Sequence, residues 1–206
     1  DYKYYIDKIS KLGFDILEIS CGAFSDYYTK DQELIDIGKY AKEKGVTLTA
    51  GYGPHFNESL SSSEPNTQKQ AISFWKETLR KLKLMDIHIV GGALYGYWPV
   101  DYSKPFDKKR DLENSIKNMK IISQYAEEYD IMMGMEVLNR FEGYMLNTCD
   151  EALAYVEEVG SSNVGVMLDT FHMNIEEDKI LAHVVKHNAV TSNDRAIVCL
   201  LYTSDA

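Results

Sequence analysis

A chain of 206 residues, 45% apolar and 26% charged, is long enough for one sizeable core and has the composition of an ordinary globular protein. Its 22 basic and 32 acidic residues give a formal charge of −10, which repels phosphate backbones and argues against a nucleic-acid partner. No apolar run approaches the roughly 18 residues of a membrane helix, so no membrane partner is expected.

The start, DYKYYIDKIS, is charged from its first residue and shows no secretory signal. It reads as a helix, and without an initiator methionine it reads as the interior of a longer chain. FDILEIS (14–20) is the first strand candidate, rich in Ile and Leu. TKDQELIDIGKYAKEKG follows as a helix, with Thr29 and Gln32 set as a capping box and Gly45 as its stop. VTLTA (46–50) is the second strand, with His55 and the polar loop NESLSSSEPN (57–66) beyond it. TQKQAISFWKETLRKLKLMD places Ile72, Trp75, Leu79, Leu82 and Met85 along one helical face. IHIVG (87–91) is the third strand, and His88 inside it reads as structural.

The aromatic loop LYGYWPVDY comes next. Trp98 there suits stacking on a sugar ring, or packing on its neighbouring aromatics. KKRDLENSIKNMKIISQYAEEYD repeats the helical pattern through Leu112, Ile116, Met119, Ile122 and Ala126. IMMGMEVL (131–138) is the fourth strand; its methionines read as core filler and it carries Glu136 near its end. TCDEALAYVEEVG has a capping box, Thr148 with Glu151, and ends at Gly160. NVGVMLD (163–169) is the fifth strand and ends on Asp169, with His172 three residues on in DTFHMN. Three scattered cysteines, Cys21, Cys149 and Cys199, form no CxxC pair and fit a reducing, cytoplasmic setting as buried filler.

After Asp178 the helix can continue through Ile180 and Val184, but the later pattern has no clear period. The last eight residues, CLLYTSDA, resemble a translated sequencing-library adapter. Residues 179–206 therefore read as a non-native or frame-shifted tail, with no function for His183, His187, Asp194 or Cys199. Residues 1–178 read as one domain.

Strand then helix, repeated at about 30 to 45 residues, means an α/β fold with a parallel sheet, either doubly wound or a (β/α)8 barrel. The barrel is favoured. No GxGxxG loop follows any strand, and GGALYG lacks that spacing. Acidic residues instead recur at strand C-termini, which converge on one site in a barrel.

Glu136 is costly to bury unless it is paired or bound to a cation. The competing reading leaves it at the strand's wet end, paired with Arg140. Asp169 repeats the pattern one strand later, about 5 Å away in backbone position. Two carboxylates that close repel unless a cation lies between them, and hard oxygen ligands suit Mg²⁺ or Mn²⁺. His172 is placed to join that site, or to be structural.

GMEVLNRFEGYMLNT, VMLDTFHMNIEED and GGALYGYWPVDYS resemble the D-tagatose 3-epimerase family, closest to its D-psicose (D-allulose) 3-epimerase branch. The likeness runs from residue 1 to about residue 178. It implies a xylose-isomerase-like (β/α)8 barrel that inverts C3 of free ketohexoses such as D-fructose and D-tagatose, through a cis-enediolate. The cofactor implied is Mn²⁺ or Co²⁺, with Mg²⁺ a further candidate. By the same resemblance Glu136 matches a metal ligand that is also the catalytic acid/base, and Asp169 a second metal ligand. Glu142 and His172 match substrate-binding positions, and Trp98 an aromatic of the sugar pocket.

The family's remaining His and Glu ligands lie beyond the matched stretch, as do the first and last two strands. This chain is therefore expected to be an incomplete barrel and inactive alone, and its parent a homodimer or homotetramer. Other barrel enzymes weighed against this are a hydroxypyruvate or aldose–ketose isomerase and an inosose dehydratase. An endonuclease IV-like nuclease and a non-catalytic sugar-binding barrel complete the alternatives.

Overall fold

The computed structural model describes residues 1–22 and 30–178, and the backbone of 196–199. Helix α1 spans Tyr2–Lys11 and precedes strand β1, Ile16–Ser20. Then come α2 (Asp31–Glu43), β2 (Thr47–Gly51), a 3₁₀ turn (Phe56–Glu58), α3 (Pro65–Leu84) and β3 (Ile89–Gly92). The order continues with α4 (Lys108–Tyr129), β4 (Met132–Glu136), α5 (Cys149–Val159), β5 (Val164–Asp169), α6 (Thr170–Glu176) and β6 (Ala196–Cys199).

All neighbouring strands are parallel and run β1-β2-β3-β4-β5-β6 in sequence order. This order decides between the two architectures. A doubly wound sheet reverses its strand order at a switch point, whereas here every crossover steps the same way. Right-handed crossovers without a reversal place all the helices on one face. The other face is left to form the lumen of a barrel, with the strand C-termini at one end.

The helices seal the outer face as their periodicity predicts. Trp75, Leu79, Leu82 and Met85 of and beside α3, and Met119, Ile122 and Ala126 of α4, are almost wholly buried. Pro65 starts α3 at a position where a missing N–H costs nothing. Asp107 caps α4 by accepting from the Arg110 N–H. The Thr148 hydroxyl accepts from the Glu151 N–H at 3.2 Å, as a capping box requires, but the Glu151 carboxylate returns to the Asn147 N–H rather than to Thr148.

The five strands read from the sequence are all present, and among the described residues a sixth, the four-residue β6, pairs with β5. Two expectations need correction. The residue capping α2 is Lys30, with no side-chain bond, while Gln32 turns to Asp36; Thr29 lies outside the described residues. His88 precedes β3 rather than lying inside it, and its exposed ring bonds the Asp130 carbonyl and Asp86. Apart from β6, the stretch read as a foreign tail lies outside the described residues.

Candidate functional site

The sheet register builds the site. Gly51, Gly91, Gly134 and Gly165 are successive partners on β2, β3, β4 and β5. Partners in a parallel sheet share a face, so one layer of the lumen has no side chains. Larger groups occupy the vacated space: a Cβ on Gly91 would meet Met167 Sδ at 2.4 Å, and one on Gly51 would meet Glu18 Oε1 at 2.9 Å. Two residues above this floor on β4 stands Glu136, opposite Met167 on β5. Asp169 lies two residues past Met167, on the same face because side chains alternate with period 2.

The result is an open cavity of about 390 Å³ at the strand C-termini. Glu18, Tyr52, Trp98, Glu136, Glu142 and His172 are among its lining residues, and no lysine or arginine is. The volume lies within the range of small-molecule sites.

Charge is unbalanced there. Burial pushes the Glu136 carboxyl up to about 7, and the charges of Asp169, Glu18 and Glu142 add to the shift. Burial also raises the Glu18 carboxyl. Glu136, Asp169 and His172 each offer one ligand atom, and those atoms lie within 4.8 Å of one another. Carboxylate oxygens gathered without a counter-cation are the donor chemistry of a hard divalent ion, so the residues present fit a metal.

The loop after β4 completes the wall. Asn139, 1% exposed, donates from its Nδ2 to Glu142 Oε1 at 2.9 Å. The same Nδ2 lies 2.8 Å from His172 Nδ1, and the Asn139 backbone N–H donates to that nitrogen at 3.3 Å. His172 Nε2 faces Glu136 Oε1 at 3.7 Å. Arg140 does not pair with Glu136. It binds Glu176 of α6, with Nη2–Oε2 at 2.8 Å and its backbone N–H on Oε1 at 2.6 Å. Asp169 also caps α6, accepting from the Phe171 N–H at 2.7 Å.

The structure thus brings Glu136, Asp169 and His172 together and sets Glu142 and Trp98 on the same cavity. Trp98 is 42% exposed, and a Cβ on Gly53 would touch its side chain at 3.1 Å. His55 stays outside, as the exposed cap of the 3₁₀ turn. Sequence reasoning missed Glu18, whose alternation with Ile19 places it on the lumen face, and Asn139, which sits inside the motif NRFEGY. Cys21 and Cys149 are buried, as expected of filler.

Relatives point the same way. The chain is 58% identical to the D-psicose 3-epimerase of Enterocloster bolteae over 177 residues, which cover 86% of this chain and 59% of that protein. It is 47% identical to the D-psicose 3-epimerase of Agrobacterium fabrum, covering 84% and 60%. It therefore spans about three-fifths of the length of these relatives. The crystal structure of D-psicose 3-epimerase with D-tagatose from Clostridium cellulolyticum H10 superposes with a TM-score of 0.88 at 44% identity, covering 92% of this chain and 65% of that one. A family 2 AP endonuclease from Brucella melitensis, TM-score 0.72 at 18% identity over 93% of this chain and 72% of its own, shares the fold alone. The resemblance to the D-tagatose 3-epimerase family holds, and since the model for xylose isomerase-like TIM barrels matches residues 6–197, the chain belongs to that family.

Proposed function

We propose that the full-length protein is a metal-dependent ketohexose 3-epimerase and that this chain carries the Glu136 half of its site. The observation that carries the reading is Glu136 itself: a strand-end carboxylate on the cavity wall, raised to about 7 beside Asp169 and His172. The C3 proton of a ketohexose lies α to the C2 carbonyl, and its removal gives a cis-enediolate. A carboxylate with affinity for a proton near neutral pH can both take that proton and return one. Glu136 is held for this by β4 below it and by Tyr95, whose hydroxyl donates to the Glu136 carbonyl at 2.9 Å.

Glu136 and Asp169 would hold Mn²⁺ or Co²⁺, with Mg²⁺ a further candidate. A bound cation supplies charge stabilisation for the enediolate. Glu142 accepts from a sugar hydroxyl, His172 contacts a sugar oxygen, and Trp98 covers the carbon skeleton. Inversion needs a second proton carrier on the opposite face of C3. By family resemblance that carrier and two further ligands lie outside residues 1–178, so the 206-residue chain is expected to be inactive alone. D-Fructose and D-tagatose are the expected substrates, the assembly a homodimer or homotetramer, and the setting cytoplasmic. Among the described residues no helix is long and apolar enough to cross a membrane.

The test is solvent exchange on the full-length protein with Mn²⁺ in deuterated water. Deuterium entering C3 of D-fructose with formation of D-psicose, and no aldose, is the expected result. Aldose formation, or deuterium at another carbon, would replace this reading with an aldose–ketose isomerase or another epimerase. Conversion of D-fructose by the isolated 206-residue chain would overturn its expected inactivity.

A further inference from the structure

We infer that Asn139 is a positioning residue that locks His172 in one tautomer, making it a hydrogen-bond donor toward the cavity and no metal ligand. The inference rests on the cavity's being a polyol site, but its evidence is the bonding of the loop after β4.

The amide orientation is fixed by its neighbours. Asn139 Oδ1 accepts from the Phe141 N–H at 2.9 Å, so Nδ2 is the atom facing His172 and Glu142. Rotating the amide by half a turn would set an NH₂ against that N–H and an oxygen against the Glu142 carboxylate. Both contacts would be repulsive.

His172 Nδ1 then faces two donors, the Asn139 Nδ2–H at 2.8 Å and the Asn139 backbone N–H at 3.3 Å. The second is a main-chain group and has no alternative role. A ring nitrogen that accepts N–H groups carries no proton, so in the neutral ring the proton is on Nε2. Nε2 is the atom turned to Glu136, at 3.7 Å, too far for a hydrogen bond, and both residues line the cavity. The ring thus offers its N–H to whatever enters. A protonated nitrogen has no lone pair for a cation, so the nearness of His172 to Glu136 and Asp169 does not make it a third ligand.

The other Nδ2 proton goes to Glu142 Oε1 at 2.9 Å, which leaves Oε2 for a ligand. One buried amide therefore presents a donor, His172 Nε2–H, next to an acceptor, Glu142. A free polyol offers the matching pair, an oxygen that accepts and a hydroxyl that donates. An anionic sugar phosphate gains nothing from this wall, whose fixed charge is negative.

The experiment is NMR on the full-length protein, free of added metal, with ¹⁵N-labelled histidine and asparagine. Expected are a His172 ring with its proton on Nε2 and a scalar coupling across the hydrogen bond from Asn139 Nδ2 to His172 Nδ1. The isosteric Asn139→Asp puts an acceptor where the donor was, and is expected to move the ring proton to Nδ1. A merely structural role would leave the tautomer where it is. A proton on Nδ1 in the wild-type ring, or a folded Asn139→Asp protein that keeps the Nε2–H form, overturns the inference. If that variant does not fold, presence of the wild-type coupling supports the inference and its absence overturns it. Because none of these signals needs substrate, a full-length protein without epimerase activity would refute the proposed function and leave this inference standing.

Discussion

Two carboxylates on neighbouring elements meet opposite fates. Glu176, on α6 at the rim, is half-buried, and the Arg140 guanidinium and backbone N–H hold its carboxyl below the usual carboxylate range. Glu136, on the cavity wall, has 20% of its side chain exposed and is pushed up to about 7, with carboxylates for neighbours. Burial raises Glu136 first and its acidic neighbours add to the shift, whereas at Glu176 the bonds to Arg140 outweigh burial. At the rim the chain supplies its own cation and obtains a clasp between the loop after β4 and α6. On the wall it withholds one, and the deficit is what a metal and a proton-transfer step require.

Removing Glu136 should have the largest effect. Glu136→Gln in the full-length protein is expected to lower C3 proton exchange by about 10²–10⁴-fold, read by deuterium incorporation. A variant within tenfold of wild type would move the proton-transfer role elsewhere. Breaking the clasp should cost stability rather than chemistry. Arg140→Ala removes the cation from a pair whose guanidinium is mostly in solvent, a loss of about 1 kcal/mol that thermal melting should show as a fall of about 2–4 °C.

The two acids should also respond to pH with opposite signs. In the folded metal-free chain Glu136 keeps its proton up to about 7, whereas unfolded it loses it near 4.5. Its contribution to stability is therefore full at low pH and is lost as pH rises through that window. Glu176 has a lowered folded value, so its contribution is present above 4.5 and is lost as pH falls below it. Melting temperature against pH should have a smaller loss between pH 5 and 7 in Glu136→Gln, and a smaller acid-side loss in Arg140→Ala. Mn²⁺ added at pH 8 should raise the melting temperature of the wild type and not of Glu136→Gln. The smallest effect is expected from Gly53→Ala, whose Cβ would press on Trp98 at 3.1 Å and raise KM about two- to fivefold with kcat little changed.

Much of this was legible in the sequence. Alternating strand and helix gave the parallel sheet, because helical faces such as Trp75, Leu79 and Leu82 are set by a 3.6-residue period that survives without tertiary context. Strand-end acids pointed to Glu136 and Asp169 for the same reason, since parallel strands carry their termini to one end. What stayed hidden was relational. Glu18 looks like any charge in a half-buried strand until the register shows which face it shares. The role of Asn139 depends on a histidine 33 residues away. The fate of Arg140 turned on Glu176, a partner on another element, and sequence distance favoured the wrong acid. The strand β6 has too few residues to show a period, so only pairing with β5 reveals it.

The layer of four glycines has a consequence for redesign. A floor made of backbone cannot be lowered, because glycine has nothing to trim. Any substitution there, beginning with alanine at Gly91 against Met167, can only make the chamber shallower. Room for a longer or bulkier sugar must therefore be found in the walls and the roof, at Met167, Trp98 or Tyr52, while the floor serves as a one-way adjustment toward smaller guests.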